Sequence, residues 1–251
     1  MTEAPTPFLL TAALVAACVL LFAAALWSAW LLAGPRSALG FAGLALTLGW
    51  FAEQMGSSRG WFFGRYHYTH VLGPEIGNVP VAIALMWFAL CWLGYALASM
   101  ILWRQPVLAR PAGWGPRLLT AWLAAMIVTA FDLGADPYFV FVLKAWIMDK
   151  TDGGWFGETL QGFAGWMLVS FTIITLFQAL QAPREPARNG PRERLAALVP
   201  LGIYASGLLF QLLLGHPVET RAVAFFAMGM PLLIAAAAWW HWARPASGAT
   251  A

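Results

Sequence analysis

Apolar positions in this chain run in long unbroken stretches rather than alternating with polar ones. Seven such stretches can be drawn, each near the ~20 residues that cross a hydrocarbon core. They are Phe8 to Ala33, Ser37 to about Gly56, Val79 to Trp103, Leu118 to about Gly134, about Leu160 to Gln181, Leu195 to Gly215 and Val218 to Ala243. The pattern predicts an all-α protein: a polytopic transmembrane helical bundle of about seven spans, with interfacial loops on one side. Residues 1–251 read as a single integral-membrane domain. Its core spans cover 8–181, a Pro- and charge-rich linker 182–194 follows, and a two-span hairpin over 195–243 completes it.

Polar residues interrupt this pattern most densely between the second and third stretches. The segment from Glu53 to Trp87 carries Arg59, Arg65, His67, His70 and Glu75 among Trp61, Phe62, Phe63, Tyr66 and Tyr68. Gly60, Gly64, Gly73, Pro74, Gly77 and Pro80 punctuate it, which rules out one continuous helix. Bare lipid cannot satisfy irregular backbone, so the segment belongs at the membrane surface or in a protein-walled cavity. A second loop lies on the same side, between the fourth and fifth stretches. Its apolar piece, Tyr138 to Met148, is too short to span and reads as an interfacial or re-entrant helix. Both loops follow a stretch that ends in a carboxylate, Glu53 or Asp132, and both return to the membrane through a Gly-containing turn and a Trp, Trp87 or Trp166. That parallel suggests a faint internal duplication.

Composition agrees with the hydropathy. Hydrophobic residues make up 61% of the chain and charged residues 10%, against about 25% charged in an ordinary soluble domain. The 15 Trp residues exceed the needs of an interfacial belt and suggest an aromatic-lined cavity. Arg36, Arg104, Arg110, Arg117, Arg184, Arg188, Arg192, Arg194 and Arg244 fall on one side of the bundle. The smaller group, Arg59, Arg65, Lys144, Lys150 and Arg221, falls on the other. The larger group marks the cytoplasmic side. A multi-pass protein of the cell membrane with its C-terminus in the cytoplasm is therefore expected. The bilayer is its solvent, and no nucleic-acid-binding face is expected. Cys18 and Cys91 each lie inside an apolar run and read as small buried residues. Val15-Ala16-Ala17-Cys18 looks like a lipoprotein cleavage box, but the apolar run continues past it, so the segment reads as a span.

Carboxylates within apolar helices are costly and usually face a bundle interior or a cavity, which makes Glu53 and Asp132 the first candidates for chemistry. Their alternative is a capping or pairing role beside Arg59 or Arg65. Asp136, in Asp136-Pro137, either joins them or starts the interfacial helix. Asp149, Asp152 and Glu158 lie in a Gly-rich loop and are expected to be solvated. His67 and His70 form a His-x-x-His pair, but four histidines in the whole chain are too few for a membrane di-iron centre, and no metal site is expected. Lys occurs only at 144 and 150. The last span therefore offers no Schiff-base lysine, and no phosphate loop, dinucleotide fingerprint or Gly-x-Ser-x-Gly is present.

The aromatic loop resembles the signature of an integral-membrane carotenoid biosynthesis family that includes acyclic carotenoid 1,2-hydratases and bisanhydrobacterioruberin hydratase. The matching residues are Phe63-Gly64, Tyr66, Tyr68, Leu72-Gly73-Pro74, Val79-Pro80 and Trp87. In the second half they are Asp136-Pro137, Trp146, Gly154-Trp155-Phe156-Gly157 and Phe163-x-Gly165-Trp166. The chain departs from the family pattern at Ile83-Ala84-Leu85, at Gly157-Glu158-Thr159 and at Gly162, where the family has Asn; Gln161 is the nearby amide that could replace it.

The resemblance implies a hydro-lyase that needs no cofactor and acts on an acyclic carotenoid, with other enzymes of carotenoid biosynthesis as partners. Hydrating a terminal 1,2 double bond requires a proton at carbon 2, which leaves a tertiary cation at carbon 1 for water to capture. A buried acid supplies the proton and aromatic faces stabilise the cation. Glu53 and Asp132 are the expected acids, Asp136 the third candidate and His67 a weaker one for orienting water. Phe63, Tyr66, Tyr68, Trp87, Trp146 and Trp166 are the expected walls of the substrate site. A lycopene-type cyclase shares the first step and differs in excluding water, and a membrane protein that binds lipid or pigment without chemistry would need the same cavity.

Overall fold

The computed structural model describes residues 8–109, 113–181 and 187–244. Seven long helices account for most of these residues: α1 (Phe8–Ala33), α2 (Pro35–Arg59), α3 (Val81–Trp103), α4 (Trp114–Pro137), α5 (Leu160–Leu180), α6 (Pro191–Leu214) and α7 (Glu219–Ala243). Four short strands lie in the two loops: β1 (Tyr66–Tyr68), β2 (Glu75–Ile76), β3 (Val79–Pro80) and β4 (Trp146–Met148). The protein is an all-α polytopic membrane bundle. Six helices are long and apolar enough to cross a bilayer. The exception is α2, which is of spanning length but gathers Glu53, Gln54, Ser57, Ser58 and Arg59 in its last turns.

Local sequence explains the breaks between elements. Gly34 and Pro35, the latter at the first helical position, separate α1 from α2. Gly60 ends α2 in the left-handed conformation, at φ 74°. Pro137 lacks the amide that would continue α4, and the helix widens into a π-turn over Tyr138–Val142. The fourth span is consequently longer than the sequence pattern suggests, running from Trp114 to Val142. The expected interfacial helix over Tyr138 to Met148 is absent. Its first half extends α4, and its second half is β4, which pairs antiparallel with β1: Tyr66 opposite Met148, His67 opposite Ile147, Tyr68 opposite Trp146. A strand pair satisfies backbone from both loops at once, which an isolated single helical turn cannot.

The third helix is the bundle's axis. It is apolar on every face and buried continuously from Trp87 to Met100, and it touches every other long helix. The C-terminal pair α6 and α7 packs on α1, α3 and α4. Its first helix begins at Pro191, inside the stretch read as linker; residues 182–186 lie outside the described part of the chain.

Candidate functional site

The two interfacial loops close over one end of the bundle, and beneath them Glu53 is buried, 4% exposed. Three donors surround its carboxyl group. Tyr66 and Tyr68 both donate their hydroxyls to Oε2, the latter at 2.8 Å, and the Trp87 indole N–H donates to Oε1 at 2.9 Å. Strand alternation explains why both tyrosines reach it: residues 66 and 68 share one face of β1. His67, between them, points the other way and is exposed. The structure therefore does not bring His67 to the site. Burial, and next the charge of Glu53, pushes both phenols well above the usual tyrosine range, so each remains a donor.

A second set of carboxyl groups approaches from α4. Asp132 and Asp136 stand one helical turn apart on the same face. Asp132 is 5% exposed and its Oδ2 has no hydrogen-bond partner. Asp136 lies on the wall of a small cavity of about 50 Å³, whose other walls include Glu53, Phe63, Tyr66, Tyr68, Trp146 and Trp166. Room of that size admits a few water molecules. The expected start of a helix at Asp136-Pro137 is instead the last turn of α4.

Glu158 corrects the sequence reading most sharply. It was expected in solvent with Asp149 and Asp152, which are indeed exposed, but it is 1% exposed. Paired backbone bonds between Gly153 and Gly157 and between Trp155 and Glu158 fold the Gly-rich loop inward. The Glu158 side chain then faces Asp136 and Asp132, and neither of its oxygens has a hydrogen-bond partner of good geometry. Burial, followed by the charge of Asp136, pushes its carboxyl group up to about 11. The only sequence signal for this was its place in a loop that also carries Trp155 and Phe156.

The aromatic candidates converge as a layer. Phe63 touches Tyr66, Trp87 and Trp166. Tyr68 sits edge-on to Tyr66 and to Trp146. Trp87 stands behind the cavity wall, stacked on Trp166. Gln161 does not reach the cavity; it is exposed and donates to the Gly60 carbonyl at 3.2 Å. Among the described residues no group of three or more His, Cys, Asp or Glu is placed to hold a metal ion. The site thus offers a carboxyl group satisfied by three donors, Glu53, and a cluster of three carboxyl groups in which Asp136 is hydrogen-bonded to Trp146 and Glu158 while Asp132 and Glu158 keep unpartnered oxygens. These are unlike environments for chemically like groups, the arrangement that separates an acid from a base.

A family model described as carotenoid biosynthesis protein matches residues 10–235. No curated protein and no solved structure matches the chain.

Proposed function

The chain belongs to the carotenoid biosynthesis protein family, and from that premise we propose that it adds water to the terminal 1,2 double bond of an acyclic carotenoid. The observation that supports this reading is the cavity itself, which has both Asp136 and Glu53 on its walls together with aromatic rings, and space for water. In this reading Asp136 is the acid. It lines the cavity, whereas Asp132, one turn earlier on α4, does not. The proton moves from Asp136 to carbon 2 of the alkene. The electron pair of the double bond forms the new C–H bond and leaves a tertiary cation at carbon 1, stabilised by the faces of Tyr68, Trp146 and Trp166. Water attacks carbon 1, and its surplus proton passes to Glu53, whose three donors suit an accepting carboxylate. Return of that proton to Asp136 through cavity water resets the site. No electron changes hands, so the reaction calls on no redox partner.

The test is the mass of the product formed from an acyclic carotenoid by the purified protein in detergent or vesicles. A gain of one water per reacted end is the expected result. Unchanged mass with altered absorption would mean cyclisation instead, and unaltered substrate would leave a pigment-binding role.

A further inference from the structure

We propose that the outer face of the two loops carries a binding site for the phosphate of an anionic phospholipid. The cations on this side of the bundle are few, yet three of them, Arg59, Arg65 and Lys150, line one pocket of about 300 Å³. Among the described residues none of the three is in an ion pair. Asp149 is the one carboxylate on the pocket wall, so positive charge predominates. Bringing like charges together costs free energy unless an anion sits among them. They come from three separate places: the end of α2, the turn before β1, and the turn after β4. The backbone bond from Asp149 N to Arg65 O, at 3.0 Å, ties two of those places together. Gln161 and Thr159 complete the rim, the Thr159 hydroxyl having no hydrogen-bond partner.

The surroundings favour a lipid over a free anion. Immediately below the pocket, α5 presents Leu160, Ala164 and Leu168 outward, one apolar stripe at one-turn spacing. Leu160 is 74% exposed and Trp61, beside Gly60, is 55% exposed. An anionic head in the pocket would leave its acyl chains lying along that stripe. Phe63 and Met148 wall both this pocket and the inner cavity, so a bound headgroup would brace the loops that cover Glu53.

The experiment is native mass spectrometry of the purified protein in detergent, with phosphatidylglycerol, phosphatidylcholine or inorganic phosphate added. Phosphatidylglycerol should be retained in preference to phosphatidylcholine. The triple variant Arg59→Gln, Arg65→Gln, Lys150→Gln should weaken that retention about tenfold or more. Lys144→Gln, which removes a charge on the same side outside the pocket, should leave it unchanged. Equal retention of the two lipids, or an undiminished affinity in a monodisperse triple variant, would overturn the proposal. Displacement of phosphatidylglycerol by inorganic phosphate at equal concentration would overturn the lipid assignment. Because no carotenoid is present, the result is independent of whether the inner cavity hydrates one.

Discussion

Trp87 and Trp166 stack with ring centroids 4.4 Å apart and planes within 19° of parallel. They belong to different helices, α3 and α5, each the helix that returns from one of the two loops. Trp87 follows Glu53 by 34 residues, and Trp166 follows Asp132 at the same spacing. The spacing from carboxylate to tryptophan is thus the same in the two loop-bearing halves of the core. The two Trp residues nevertheless have different tasks, since Trp87 donates to Glu53 while Trp166 lines the cavity.

That difference is measurable. Trp87→Phe keeps an aromatic ring in the stack and removes the donor to Glu53 Oε1. A hydrogen bond to a charged group is worth roughly 1.5–3 kcal/mol, so turnover of an acyclic carotenoid should fall about tenfold or more. Trp166→Phe should cost less. Equal losses in the two variants would mean that only the stack matters.

The approach of α2 to α3 depends on Gly49. A Cβ at this position would overlap the Trp87 side chain. Gly49→Ala should therefore push Trp87 away from Glu53 and destabilise the protein by about 1–3 kcal/mol, the usual cost of overpacking. A lowered thermal midpoint in detergent together with reduced turnover is the expected outcome. An unchanged midpoint would show that the helices can separate without penalty.

Glu158 gives a pH dependence whose sign is fixed. Its carboxyl group is raised from 4.5 to about 11 in the folded protein. Between those values the folded state holds a proton that the unfolded state releases. The contribution to stability is thus fully present below about pH 4.5 and declines as pH rises towards about 11. Thermal midpoints measured across alkaline pH should fall for the native chain. They should fall less for Glu158→Gln, which has no proton to lose. A steeper fall in the variant would contradict the burial of this group.

Most of the bundle was legible in the sequence, because unbroken apolar stretches of spanning length have one economical solution in lipid. So was the need for Glu53 to leave lipid, since an acidic residue at the end of such a stretch must meet a cavity or a partner, but not that its partners are Tyr66, Tyr68 and Trp87 rather than Arg59 or Arg65. What escaped was set by contacts distant in sequence. Pairing with Tyr66–Tyr68 turned Trp146–Met148 into a strand, and no periodicity over three residues could announce that. Alternation along the same strand sent His67 outward, which would have been readable had the strand been foreseen. Glu158 was misread because a Gly-rich loop usually faces water, whereas here its own backbone bonds fold it in.

The acid and the base of the proposed hydration can be separated by isotope. Asp136 lies on the cavity wall beside two carboxyl groups that have unpartnered oxygens, and Glu53 lines the same cavity with three donors aimed at it. Asp136→Asn preserves shape but cannot transfer the proton, so hydration should fall at least ~100-fold. In deuterium oxide this variant should also fail to place deuterium on recovered substrate, because the cation never forms. Glu53→Gln should likewise lose hydration, but for a different reason: the cation forms and finds no base to take the proton from water. Such a cation reverts by losing a proton, and in deuterium oxide some of the recovered alkene then carries deuterium at carbon 2. The expected pair of results is therefore loss of water addition in both variants, with exchange retained only in Glu53→Gln. Exchange in Asp136→Asn and not in Glu53→Gln would reverse the two roles, and near-normal hydration in both would remove these residues from the chemistry.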